Sequence, residues 1–356
     1  MNTASVAKNE RNTNIELLRV ISMIMIITLH YLNQGGILET LTFSDSNYAV
    51  VWLIESFCYV SVNCYVFISG FFLCESTFKL RKVFDIVCEV VFYSVGIYFF
   101  FCIIGVESFS LVSLITGYLF PIIHGEYWFA TVYVVLYLIS PYINKGLNTL
   151  DKKEHQKLIA IMGLVFSVIP SVFFFSGNNL GVDKGYSLIW FVFLYIVSAY
   201  LRKYSVKIKN IYLMLTFVLS SLVTFLVKYC QVAFLGTEYW GLYRYSSITV
   251  LLASVSLFML FVQMEPRNQR VWSFFGSTTF GVFLIHTQYI MRDKILWKEI
   301  IKPLQYCYEN TGVFLLHMII SVLLIYVLSS IVDYLRIVLF DLIKFFVSAK
   351  QRKAKG

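Results

Sequence analysis

Residues 12–33 read NTNIELLRVISMIMIITLHYLN, an apolar run long enough to enter a bilayer that nevertheless carries Arg19 and His30. A charged or titratable side chain in hydrocarbon is costly unless it faces protein or water, so each of the two is a functional suspect. They lie eleven positions apart. At 100° per residue that is about three turns plus 20°, so both project from one face, separated along the axis by roughly 16 Å. Taken singly, Arg19 also reads as a cation snorkelling to the headgroups, and His30 as an interfacial histidine satisfied by its neighbours. Their shared face favours function, because a snorkelling residue needs no partner in register.

Composition says what surrounds this helix. Of 356 residues 59% are hydrophobic and only 14% charged, whereas a soluble chain carries roughly 25% charged residues. The chain therefore reads as an all-α polytopic membrane protein. Its seven cysteines are scattered through apolar runs without a C-x-x-C pair and read as buried small hydrophobes, so no metal is expected. Glu16 and Arg19 interrupt the first run and no small-residue cleavage site follows, so it reads as an anchor rather than a cleaved signal. Thr13-Asn14-Ile15-Glu16 fits a capping box that starts the helix near Asn14.

Apolar runs recur at 15–33, 48–73, 83–105, 128–144, 158–175, 187–201, 211–230, 245–263, 272–291 and 312–335, most of them near the roughly 20 residues a bilayer requires. Every second loop is basic: Lys8 and Arg11; Lys79, Arg81 and Lys82; Lys145, Lys152, Lys153 and Lys157; Arg202, Lys203, Lys207 and Lys209; Arg267 and Arg270; Arg336 and the tail. The alternate loops are acidic or nearly neutral, with Glu39 and Asp45, Glu107 and Glu126, Asp183 and Lys184, and Glu238 and Arg244. The net charge of +9 is thus a topology signal and not a nucleic-acid footprint. It predicts about ten transmembrane helices with both termini cytoplasmic. Residues 1–13 would form a cytoplasmic tail, 14–335 the membrane domain and 336–356 a second, basic cytoplasmic tail. The mixed-charge loop 292–310 is the exception and reads as an interfacial amphipathic segment. Phe109 to Ile123 is too short to cross and contains Pro121; it reads as re-entrant or interfacial.

Three more clusters carry possible chemistry. Lys79, Arg81 and Lys82 follow FISGFFL at 67–73; such a group is commonly positive-inside charge alone, but basic residues at an inner mouth also bind phosphates. Glu126-Tyr127-Trp128 stands at the outer entrance of a span, where an interfacial aromatic belt is the commoner reason for Tyr and Trp. His286 ends Gly281-Val282-Phe283-Leu284-Ile285-His286 near the outer end of the ninth span, level with His30. His124 falls in an outer loop, and His155 and His317 read as structural or exposed.

In this pattern the chain resembles the membrane-bound acyltransferase family 3. The residues that carry the resemblance are IELLR at 15–19 with His30, like the family's Arg-x10-His; FISGFFL at 67–73, like its Phe-x-x-Ser-Gly motif; EYWFATVYVVLYLISPYI at 126–143; and FGVFLIH at 280–286. They follow the family's order along essentially the whole chain. The resemblance implies a multi-pass protein of the bacterial cytoplasmic membrane that O-acylates a surface or lipid-linked glycan. Its donor would be cytoplasmic acyl-CoA, acetyl-CoA by default. Arg19, Arg81 and Lys82 would hold the CoA phosphates, and His30 would act as general base or become transiently acylated. Glu126 would orient an imidazole, Tyr127 and Trp128 would stack on a sugar, and His286 would be a second polar group opposite His30. The chain departs from the family after Arg81, where Asp85 and Cys88 stand in place of a further basic residue and a proline. It carries no fused esterase-like domain, so it would acylate the sugar itself or use a separate extracytoplasmic acyl-accepting protein. The rival reading is a flippase or polymerase for lipid-linked oligosaccharide, which needs no CoA site and no Arg/His pair in register. A membrane scaffold would need no buried ionisable line.

Overall fold

The computed structural model describes residues 13–173, 180–236, 241–265 and 270–353, with side chains to 346. Lys8 and Arg11 of the N-terminal tail, Glu238 and Arg267 lie outside the described residues, as does the chain's last tripeptide.

The axis of the molecule is α1 (Thr13–Asn33). Its apolar residues point in every direction, and Leu18, Ile27, Tyr31 and Leu32 are all fully buried. A helix that is hydrophobic all round must be enclosed by others. A short α2 (Ile37–Thr40) follows, and then α3 (Tyr48–Cys58) and α4 (Ser61–Leu73). These two realise the expected span 48–73, parted at Tyr59 and Val60, whose backbone stays right-handed helical.

Next come α5 (Leu80–Ile103), α6 (Leu111–Ser113) with a π turn at Leu114–Tyr118, and α7 (Trp128–Thr149). α8 (Lys152–Gly163) begins at a capping box, Asp151 with Glu154, and runs through a π turn into α9 (Ile169–Val172). α10 (Leu188–Lys203), α11 (Asn210–Leu235), α12 (Ile248–Gln263) and α13 (Arg270–Thr287) follow. A π-helix, Met291–Ile301, leads to α14 (Thr311–Lys353). Among the described residues every regular element is helical.

α1 touches α2, α3, α4, α12, α13 and α14. Close approach is bought with small residues. A Cβ on Gly276 of α13 would collide with Glu16 of α1, and one on Gly281 would collide with Asp333 of α14. Lipid is as apolar as leucine, so such packing, rather than hydrophobic exclusion, holds membrane helices together. Asn14 is buried in this contact and donates from Nδ2 to the Met264 and Glu265 carbonyls at 2.8 and 3.0 Å. Glu16 turns to Arg19, away from the capping box expected at the helix start.

Among the described residues, six stretches are long and apolar enough to cross a membrane: Thr13–Thr40, Tyr48–Leu73, Leu80–Ile103, Lys152–Val172, Asn210–Leu235 and Thr311–Phe346. The other four expected spans are α7, α10, α12 and α13, each shorter or more polar than these. α10 and α12 have 16 residues each, about 24 Å of helix, and most of their side chains are buried in the bundle. The outward faces of α5, α11 and α14 expose Phe84, Phe100, Leu219, Leu226, Leu323 and Leu328 among others. Apolar belts of that extent on a multi-helix protein mean lipid contact.

Residues 109–123 contain only α6, its π turn and bends lying along α5, with Phe109, Leu111, Val112 and Phe120 exposed. α14 does not stop near residue 335 but continues as helix to Lys353, so most of the expected basic tail prolongs the last helix.

Candidate active site

Arg19 and His30 line one internal cavity of about 460 Å³, as their common helix face requires. The cavity runs from Arg19 and Ser277 to Asn33 and Gln34. Along α1 that is 15 residues, or roughly 22 Å.

At the Arg19 end the guanidinium pairs with Glu16, Nη1 to Oε1 at 2.8 Å. A guanidinium has five N–H donors, so this pair leaves most of them for the cavity. Tyr65 donates its hydroxyl to the Arg19 carbonyl at 2.7 Å, and Ser69 of the FISGFFL stretch lines the same end. The serine of that motif therefore stands in the wall with Arg19.

At the other end His30 meets His286 of α13, Nδ1 to Nε2 at 2.9 Å. The opposite nitrogen of His286, Nδ1, lies 2.6 Å from the Val282 carbonyl. A carbonyl can only accept, so His286 Nδ1 carries the proton. In neutral His286 the Nε2 is then bare and must accept from His30 Nδ1–H. Two positions follow for His30: its Nδ1 is occupied, and its Nε2 holds a lone pair. His286 is 1% exposed and does not line the cavity, whereas His30 does. A lone pair on a cavity-facing imidazole is a proton acceptor. Its tautomer is set by an imidazole behind it, which is set in turn by a backbone carbonyl.

The other residues singled out from sequence divide. Trp128 lines the cavity, its ring 4.6 Å from that of Tyr186. Tyr127 is buried beside it and does not line the cavity; its hydroxyl donates to the Leu284 carbonyl at 3.2 Å. Glu126 accepts weakly from the Tyr289 N–H at 3.4 Å, and burial pushes its carboxyl above the usual range. Its hydrogen bond is to the Tyr289 backbone and not to either histidine of the pair. Arg81 and Lys82 are exposed on the first turn of α5 and lie outside the cavity wall.

Of the remaining histidines, His124 is exposed. His155 is buried with Nε2 3.1 Å from the Ile196 carbonyl. His317 stacks on Tyr306 and bonds the Tyr31 hydroxyl at 2.8 Å.

A match to the acyltransferase-domain family model spans residues 12–333, nearly the whole chain and every element that walls the cavity. The chain belongs to acyltransferase family 3. No curated protein and no solved structure matches it. As a family member it is a multi-pass membrane acyltransferase, and the match ends at Asp333, within α14.

Sequence reading passed over Glu55, Tyr59, Tyr186 and Tyr245, all of which line the cavity. The tyrosines come from turns and loops and give no periodic signal. Glu55 did give one: it is a carboxylate inside the apolar run 48–73, the same anomaly that marks Arg19 in the first run.

Proposed function

We propose that this acyltransferase moves an acyl group, acetyl by default, from cytoplasmic acetyl-CoA to a hydroxyl of a surface or lipid-linked glycan. Ten helices would cross the bacterial cytoplasmic membrane, with both termini inside. The alternation of basic and near-neutral loops supports that orientation. In it, the Arg19 end of the cavity faces the cytoplasm and the His30 end faces out. Arg19 would meet a CoA phosphate, with Arg81 and Lys82 as exposed cations drawing the donor to the inner mouth. The pantetheine arm would extend along the cavity, whose length suits it, and bring the thioester to His30.

The step balances without other reagents. The sugar oxygen attacks the thioester carbonyl carbon while His30 Nε2 takes the hydroxyl proton. The resulting imidazolium keeps its Nδ1–H on His286, and that bond becomes charge-assisted and stronger. Collapse of the tetrahedral intermediate breaks the C–S bond. The sulfur leaves as thiolate and receives the proton from His30, giving the O-acyl sugar and free CoA.

The observation that carries this reading is that His30 lines one cavity with Arg19 while its Nδ1 bonds His286, which leaves the lone pair on Nε2. Mass spectrometry of surface glycans from cells with and without the gene tests it. Loss of an O-acyl ester on deletion, restored by the gene, is the expected result; an unchanged ester content contradicts it.

A further inference from the structure

The proposed chemistry gives no role to the least accommodated group in the cavity. Glu55 lies near the end of α3, 2% exposed, and its Oε2 is buried with no hydrogen-bond partner. Among the described residues it also has no ionic partner. A buried carboxyl left in that state costs free energy, and native structures seldom keep one without a reason.

Its surroundings indicate the reason. Glu55 lines the same cavity as His30, together with Tyr59, Trp128, Tyr186 and Tyr245. The four rings form one group: Tyr59 to Tyr245 is 4.9 Å between centroids, Tyr186 to Tyr245 is 5.1 Å, and Trp128 to Tyr186 is 4.6 Å. Tyr186 precedes α10, Tyr245 precedes α12 and Trp128 opens α7. All three therefore come from the ends of helices on the side where α1 finishes, opposite Arg19. A wall of aromatic faces with one carboxylate among them suits a ring that has C–H faces and hydroxyl edges. The faces pack on the aromatics, and hydroxyl donors satisfy the carboxylate. A pantetheine arm offers amide donors but no rigid face, and it enters from the other end.

We infer that Glu55, with Tyr59, Trp128, Tyr186 and Tyr245, is the subsite that holds a pyranose acceptor beside His30. This rests on the acyl-transfer reading above. It adds to that reading where the acceptor sits and which group selects a hydroxyl-bearing ring.

The test uses the full chain in lipid nanodiscs, with acetyl-CoA as donor and a panel of methyl pyranosides as acceptor probes. Two rates are followed: acetyl-CoA hydrolysis without sugar, and acetyl transfer to each glycoside. Glu55→Gln keeps size and shape but weakens acceptance of hydroxyl donors. It should raise the glycoside KM several-fold to about tenfold, the cost of leaving a buried hydrogen-bonding group mispaired. The acetyl-CoA KM should stay within about twofold of the parent, and an unchanged melting temperature in the nanodisc reports that the variant is folded. Glu55→Asp, which keeps the carboxyl group, should fall between the two.

An unchanged glycoside KM in Glu55→Gln overturns the inference. A rise in acetyl-CoA KM instead would overturn it too, and would move Glu55 to the donor arm. A parent that hydrolyses acetyl-CoA but acylates none of the glycosides overturns the pyranose assignment while leaving the donor reading standing. A parent that turns over no acetyl-CoA at all removes the donor reading, and this inference with it.

Discussion

Two places in this bundle bury charge among apolar helices, and they treat it oppositely. Where α5 meets α14, Arg336 binds Asp333 at 2.7 Å and Glu89 at 2.9 Å, and Tyr93 donates to the same Asp333 oxygen at 2.7 Å. Every charge there has an ionic partner within the protein, and the one oxygen left without a hydrogen bond, Asp333 Oδ2, is buried away from the cavity. Gly281 of α13 leaves room for Asp333 to reach the cluster. Along the α1 cavity the arrangement is left open. His30 presents a free lone pair, Glu55 an unpartnered carboxyl, and Arg19 a guanidinium with only one of its donors committed to Glu16. Burial of an ionisable group in a membrane helix is therefore not in itself a sign of catalysis. The sign is a buried group whose bonding capacity remains unused and faces a cavity.

The comparison breaks if the two places respond alike to mutation. Asp333→Ala removes the acceptor shared by Tyr93 and Arg336 and leaves a buried cation short of one partner. Breaking such a pair costs about 3–5 kcal/mol, so thermal unfolding in detergent should shift strongly downward. Activity per folded molecule should be nearly preserved. A variant that melts like the parent but is inactive would place Asp333 with the catalytic groups instead.

A smaller effect sharpens the account within the cavity. His286→Ala deletes the acceptor that fixes the His30 tautomer but leaves His30 itself. The imidazole can then place its proton on either nitrogen, so kcat should fall by roughly tenfold while the acetyl-CoA KM is unchanged, as expected of a group that orients a general base and does not itself take the proton. His286→Gln, whose amide oxygen can still accept from His30 Nδ1–H, should recover part of the loss. No recovery by Gln, with the melting temperature preserved, would count against the tautomer argument.

What the sequence disclosed follows from how local each signal is. The Arg19 and His30 register is a property of one helix, so spacing alone placed both in one line, and one cavity does receive them. The all-helical bundle and its apolar outer faces follow from composition and run length in the same way. The His30–His286 bond joins residues 256 positions apart; sequence could place His286 at a similar depth but could not show ring against ring. Local backbone explains the residues that did not converge. Tyr127 and Trp128 are neighbours in sequence, yet Tyr127 is the non-helical residue that precedes α7 and Trp128 is its first helical one, so Trp128 lines the cavity while Tyr127 bonds the Leu284 carbonyl. Arg81 and Lys82 similarly sit on an exposed turn. Glu55 was legible by the rule that singled out Arg19, and it escaped because it has no partner in register on its own helix.

The central claim is that His30 Nε2 accepts the proton of the attacking hydroxyl, and His30→Gln tests it most directly. Glutamine keeps the side chain polar and of similar reach but accepts no proton at neutral pH. With variant and parent at matched membrane abundance, glycan O-acylation should fall at least about a hundredfold, the usual worth of a general base, while acetyl-CoA affinity stays within a few-fold. Acylation close to the parent level in His30→Gln would contradict the account and leave His30 as part of the cavity wall.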